Sequence, residues 1–351
     1  MKKENRTRPP LESLACVNPE CDKYGCKGGD NLIIRKVYGE DKIRYLRCRV
    51  CREEFSERKN TALFNSKIGE AKATAIARHL AEGDSLEAIR RVQEVDVSTV
   101  DRLRKRVGRH GRQFHDERVV DVEVQELQAD ERHGFAGEKS NQNWEAEMID
   151  PESKFVLSHV QGKREETLVA DLYEDTVKRV RDKHKITLFT DGFASYKTLF
   201  PRYFGRAYRP AYSGRGRPHK IRYRIPRQAA HVQIVKHRQG RQLKQVEIRY
   251  AHGSRRRIDQ ALDKLGYSVP NTSAIERRNG TARLMSPAQV RKSLAFAKRD
   301  DGKEQSGWWA VTIYNWCRPH RSLRVKLDEP QGKKSIVNAR LQWRLGWQIQ
   351  L

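Results

Sequence analysis

The apolar positions of this chain change period several times along its length, and each change marks an element. Asn31-Leu-Ile-Ile-Arg-Lys-Val-Tyr38 and Ile43-Arg-Tyr-Leu-Arg-Cys48 read as two strands joined at a Gly39-Glu-Asp turn. From Ser66 to about Asp116 the period becomes helical: Ala71, Ala75, Ile76 and Leu80 recur at three- and four-residue steps until Gly83-Asp84 breaks the run. Ser85 is placed to cap a second helix, Leu86–Val92, and a third is predicted over Ser98–Val107. Val119–Val124 alternates ahead of strand-like Glu126–Asp130, and Asn143–Ile149 and Lys154–Val160 follow. An amphipathic helix is predicted over Glu165–Val180, with Leu168, Leu172 and Val177 or Val180 inward, and then a strand over Ile186–Thr190. His231–Val235 and Leu243–Tyr250 read as a hairpin across Gly240.

Charge changes the picture. The 351 residues carry a formal net charge of +27, and a chain this basic attracts polyanions. Between Arg202 and Arg257 there are 17 Lys or Arg against a single acid, Glu247. Because strand-like runs thread this stretch, it reads as a structured DNA groove rather than a solvated tail. No apolar run is long enough to span a bilayer, and the amino terminus is charged, so a cytoplasmic protein with no membrane partner is expected.

Five of the six cysteines lie between residues 16 and 51. Cys16-x4-Cys21 and Cys48-x2-Cys51 flank the first hairpin, the spacing of a zinc ribbon whose metal supplies folding energy to a module with too little core. Cys26 repeats the x4 step and competes for one ligand position. Basic strand residues (Arg35, Lys36, Arg44, Arg47) fit a ribbon that touches nucleic acid, and a purely structural role stays open. The three short helices fit a helix-turn-helix. Ser98, Thr99 and Arg102 are then the base-facing candidates, with Arg104, Lys105 and Arg106 nearer phosphates.

Three acids stand where elements start or end: Asp130, Asp191 and Glu276. Carboxylates set in a basic field are what a magnesium-dependent phosphoryl-transfer site requires. Two such groups held close repel unless a divalent cation bridges them. Glu131 is a competitor, but alternation points it to the opposite face. On spacing alone, Ser273-x-x-Glu276 is more simply a capping box. Three meandering strands followed by helix and strand follow the plan of the ribonuclease-H-like fold, in which the last strand brings Asp191 beside Asp130.

Several blocks carry a resemblance: Asp130-Glu131, Thr190-Asp191-Gly192, Asn271-Thr-Ser-Ala-Ile-Glu276-Arg-Arg-Asn-Gly-Thr-Ala-Arg283, Arg291–Lys298 and Tyr314-Asn-Trp-Cys-Arg-Pro-His-Arg-Ser-Leu323. Together they are similar to prokaryotic insertion-sequence transposases with a DDE catalytic core, in the group that carries a zinc ribbon and a helix-turn-helix ahead of it. The resemblance implies that Asp130, Asp191 and Glu276 hold catalytic Mg2+ (or Mn2+), alongside Zn2+ on Cys16, Cys21, Cys48 and Cys51. It implies double-stranded DNA partners, transposon ends and target, in a nucleoid-associated homo-oligomer of at least two chains. DNA contacts are expected from Arg215, Arg217, Lys220, Arg222 and Arg277. The chain departs from the family at His133, where relatives often have an aromatic, and at Pro287, which interrupts the helix of Glu276. His320 and its neighbours are read as structural or phosphate-contacting, and the tryptophans (Trp308, Trp309, Trp316, Trp343, Trp347) as core.

The expected architecture is thus an α/β multidomain chain. It has a zinc ribbon at 1–60, a helix-turn-helix at 61–117 and a ribonuclease-H-like mixed-sheet core at 118–325. The core carries a basic β-rich insertion at about 205–258 and a helical carboxy-terminal part, and a tail follows at 326–351. A non-catalytic DNA-binding regulator of the same descent is the alternative, and a junction or RNA nuclease of the same fold a third.

Overall fold

The computed structural model describes residues 9–212, 217, 219–289, 295–320, 323–331 and 334–338. Its ribbon strands form as expected, β1 (Leu32–Tyr38) antiparallel to β2 (Ile43–Cys48), and a third, β3 (Glu54–Ser56), adds to β2. Three residues are too few to show alternation, so β3 was not legible. The helices α1 (Glu70–Ala81), α2 (Leu86–Gln93) and α3 (Val97–Arg118) follow. Gly83 makes the first turn with φ +89, and Ser85 Oγ accepts the Ala88 N–H at 3.1 Å, satisfying an otherwise orphaned helix donor.

The rest of the chain builds a core. In order come β4 (Glu126–Arg132), the small hairpin β5 (Phe135–Ala136) and β6 (Glu138–Gln142), β7 (Trp144–Ile149), β8 (Val156–Gly162) and α4 (Glu166–Arg179). Then come β9 (Thr187–Thr190), α5 (Ala194–Phe204), a two-stranded ribbon β10 (Arg206–Tyr208) and β11 (Arg222–Arg224), β12 (Ala230–Gln239) and β13 (Gln242–His252). Helices α6 (Arg255–Leu265), α7 (Ser273–Met285) and α8 (Asp300–Thr312) complete it. A π-helical turn at Ile313–Cys317 extends α8, and a last hairpin pairs β14 (Arg324–Gln331) with β15 (Lys334–Asn338). No described helix is long and apolar enough to cross a membrane.

Six strands form one mixed sheet in the order β13-β12-β9-β4-β7-β8. The expected meander is β4, β7 and β8, and β9 returns beside β4 as anticipated, running parallel to it. Two expectations change. Val119–Val124 forms no strand and makes only an isolated bridge, Val122 to Val180. The His231–Tyr250 hairpin forms, but it is part of the sheet, because β12 pairs parallel with β9, Val232 opposite Phe189. Half of the basic segment is therefore framework.

Strand β4 shows how the layers are set. Leu127 and Ala129 join Leu168, Leu172 and Tyr196 in the main apolar core. The alternate residues Glu126, Gln128, Asp130 and Arg132 are polar and face α6 and α7. Gln128 Oε1 accepts from the amides of Ala274 and Ile275 at 3.0 and 3.1 Å, so a buried strand side chain caps α7. Helix α3 runs to Arg118, well past Val107, because its second half lies on α8. A Cβ at Gly108 would stand 2.1 Å from the Gln305 carbonyl oxygen, so only glycine allows that approach. Trp308 and Trp316 pack around His115, and Trp316 also meets Phe155, while Trp309 is buried. These three tryptophans are core, as expected, and Trp343 and Trp347 lie outside the described residues.

Candidate active site and metal centres

Asp130 lies near the end of β4 and Asp191 directly follows β9. The two strands are parallel with Gln128 opposite Phe189, two residues before each aspartate, so the pairing itself brings the carboxylates together. They line a cleft of about 550 Å³ with Arg164, Phe193, Lys236, Arg238 and Glu276. One carboxyl oxygen each from Asp130, Glu131 and Asp191 lie within 4.8 Å of one another. Burial, then the charges of Glu131, Asp191 and Glu276, raise the Asp130 carboxyl from its ordinary 3.8 to about 7. A group that resists ionisation beside other carboxylates favours a cation.

No protein-family model and no curated protein matches this chain.

Glu131 does take the opposite face, as alternation requires. It is tied there by Arg164 Nε at 2.8 Å and by the Tyr196 hydroxyl at 3.0 Å. Its carboxylate nonetheless stays with the aspartates, because Arg164 spans the strand ends and also lies 3.8 Å from Asp191. The Arg164 guanidinium is held between two rings, 4.9 Å from the Trp144 centroid and 4.6 Å from Phe193. Sequence reading missed this arginine, since its loop position before α4 gives no periodic signal.

Glu276 borders the same cleft but stands outside the close group of three. Helix α7 starts at Ser273 with Thr272 as its N-cap, so Glu276 is its fourth residue and the capping box does not form. Asn271 Oδ1 accepts the Ser273 amide instead. Glu276 Oε1 accepts from the Thr272 hydroxyl at 2.5 Å and from the Lys236 ammonium. Burial pushes its carboxyl up, but the bonds to Lys236 and Thr272 outweigh that and hold it below the ordinary value. The structure thus brings together two of the three expected acids and Glu131, with Glu276 across the cleft on a lysine.

The rest of the Asn271–Asn279 block supports the site from behind. Asn279 donates to Asp130 at 2.7 Å and accepts from Arg132. Arg132 is buried against Glu145 and Glu147, Lys303 meets Glu145 at 2.5 Å, and Arg278 meets Glu147 at 3.0 Å. Arg278 also lies over the Tyr314 ring at 4.5 Å, which joins this block to the Tyr314–His320 block. His320 bonds the Tyr314 carbonyl at 3.0 Å and faces that ring; the contact is structural.

The cysteines form a second centre. Sulfurs of Cys16, Cys21, Cys48 and Cys51 lie within 4.8 Å of one another, with Cys16–Cys51 at 3.6 Å and Cys21–Cys48 at 3.9 Å. A tetrahedron with metal–sulfur bonds of about 2.3 Å has sulfurs about 3.8 Å apart, close to these two spacings, so the cluster could hold a zinc-like metal. The exposed Cys26 stands outside the group, which settles the competition. Burial pushes the Cys16 thiol to about 12. Cys48 is lowered to about 6, because the Cys51 amide and the Asn31 side chain outweigh its burial.

The remaining expected DNA contacts divide. Ser98 and Arg102 are exposed near the start of α3, and Thr99 is half-buried. Arg104 and Lys105 are engaged by Asp101 at 2.5 and 2.8 Å, and Arg106 by the Phe64 carbonyl at 2.8 Å. In the ribbon Arg44 is tied to Glu57 and Arg35 to Glu54, Arg47 lies 3.9 Å from Glu54, and Lys36 covers the Tyr45 ring. Arg277 is exposed beside Glu276. Arg217, Lys220 and Arg222 are exposed and do not line the cleft, while Arg215 lies outside the described residues. Lys236 and Arg238, not singled out beforehand, supply the cleft's basic wall.

Proposed function

We propose that this chain is an insertion-sequence transposase with a ribonuclease-H-like catalytic core. It binds the terminal inverted repeats of its element, hydrolyses a phosphodiester to free a 3′-hydroxyl, and directs that hydroxyl at target DNA. One observation carries the reading: parallel pairing of β4 with β9 places Asp130 beside Asp191 in a cleft walled by Lys236, Arg238 and Arg164. Acids that would hold a divalent cation and bases that would hold a phosphodiester share one space.

Asp130 and Asp191 would hold magnesium, which when bound polarises the phosphate and lowers the pKa of water. Arg164 keeps Asp191 and Glu131 in place, and Asn279 fixes the orientation of Asp130. Lys236 and Arg238 attract the backbone, and the Glu276–Lys236 contact sets where the third carboxylate waits. The cysteine ribbon, holding zinc, and the exposed start of α3 deliver duplex DNA. Strand transfer joins two DNA ends, so the working form has at least two chains. Phosphodiester exchange is close to energy-neutral, in accord with a sequence that lacks a G-x-x-x-x-G-K-[ST] phosphate loop.

The test uses end-labelled DNA taken from either side of the gene, with the full chain and Mg2+. Nicking at the junction, abolished by Asp191→Asn, is expected. Cleavage that persists at the full rate in Asp191→Asn would sink the assignment, and tight binding without nicking would favour a DNA-binding regulator.

A further inference from the structure

The basic segment splits between the two ends of the sheet. Lys236 and Arg238 reach the cleft, beyond the carboxyl end of β9. The ribbon β10–β11 is at the other end: α5 leads away from Asp191 for 11 residues, roughly 16 Å. There Gly205 and Arg224 adjoin, and the chain then enters β12 at Ala230, opposite Thr187, the first residue of β9.

On this ribbon Arg206 stands directly opposite Arg224, and Tyr208 opposite Arg222. Directly opposed residues share a face, so three guanidiniums crowd one side of a two-stranded ribbon. Like charges in opposed positions destabilise a strand pair. All six ribbon residues are exposed. Among the described residues no carboxylate lies within salt-bridge distance of Arg206, Arg222 or Arg224 (ion pairs elsewhere on the surface are frequent). Arg224 lies over the Tyr208 ring at 5.4 Å, which holds the guanidinium in place without neutralising it. The arrangement is self-repelling until an anion with regularly spaced charges covers it, and a duplex backbone supplies that pattern.

We infer that the β10–β11 ribbon is a second duplex-DNA surface, at the opposite end of the sheet from the cleft, gripping phosphates of DNA that is not being cut. This rests on the reading of the chain as a DNA-acting enzyme. The ribbon binds by charge, so it adds affinity without sequence preference.

The test measures duplex binding of the zinc-loaded full chain by fluorescence anisotropy, without added Mg2+, across a salt series. Arg206→Ala/Arg224→Ala is expected to weaken binding about tenfold or more and to reduce the slope of log affinity against log salt by about 2. Arg206→Lys/Arg224→Lys restores most of the slope, and circular dichroism shows both variants folded. Unchanged affinity and slope in the alanine variant would overturn the inference, as would a preference of the ribbon for RNA duplex over DNA. A wild-type chain that binds duplex with this arginine dependence but never nicks it counts against the transposase reading alone.

Discussion

The cysteine cluster and the acidic cleft are both sets of side chains that could hold a metal, but they are assembled in opposite ways. The four sulfurs come from two local pairs on either side of one hairpin, and that hairpin gathers them within 4.8 Å of one another. The carboxylates come from β4, from the end of β9 and from α7, and only the order of strands in the sheet brings them near each other. The thiol centre is complete within its module. The carboxylate centre has its two aspartates in place, with Glu276 held across the cleft by Lys236. A site written in local spacing is finished by local folding. A site written in topology depends on the order of strands across the sheet.

The largest effect that would break this comparison is on the ribbon. Removing zinc with a chelator should unfold it, since structural zinc supplies on the order of 10 kcal/mol to such modules, while the six-stranded sheet stays folded. Hydrogen exchange would show protection lost at Leu32–Cys48 and kept at Leu127–Ala129. Equal loss in both regions would mean that the ribbon is not an independent centre.

A smaller effect is expected at Arg164. Arg164→Met removes the cation from buried Glu131 and should destabilise the core by about 1–3 kcal/mol, read from urea unfolding. It should also loosen Asp191 and so weaken divalent-cation binding, which a purely structural arginine would leave unchanged.

A third effect is on pH dependence. In the metal-free fold Asp130 keeps its proton up to about 7, whereas the unfolded chain loses it near 3.8. The unfolded state therefore binds fewer protons between those values, and stability should fall as pH rises from about 4 to 7, then level off. Asp130→Asn should remove that fall, and added Mg2+ should reverse it. A stability that is flat over this range in the wild-type chain would show that Asp130 is not crowded by the other acids.

Much of this was legible in the sequence for the same reason that the two centres differ. The ribbon hairpin, the Ser85 cap and the break at Gly83 depend on neighbours in sequence, and they stand where the residues put them. Asp130 and Asp191 were legible because each lies at or near the end of a strand-like run. The pairing of β12 with β9 was not, since a parallel partner 43 residues away, as Val232 is from Phe189, leaves no periodic trace, and the hairpin there looked like an insert. The extra length of α3 depends on Gly108, whose value lies in the α8 surface it admits. Arg164 and Lys236 were hidden in a basic composition where no single arginine or lysine stands out. The Ser273–Glu276 spacing misled because the helix begins at Ser273, one residue earlier than a capping box on Ser273 needs.

The most direct measurement of the central claim is calorimetric titration of Mn2+ into the zinc-loaded full chain at pH 8, with and without the Asp191→Asn substitution. The account predicts saturable binding in the wild-type chain that is lost in Asp191→Asn, with the zinc content unchanged. Mn2+ binding of equal strength in both proteins would contradict it.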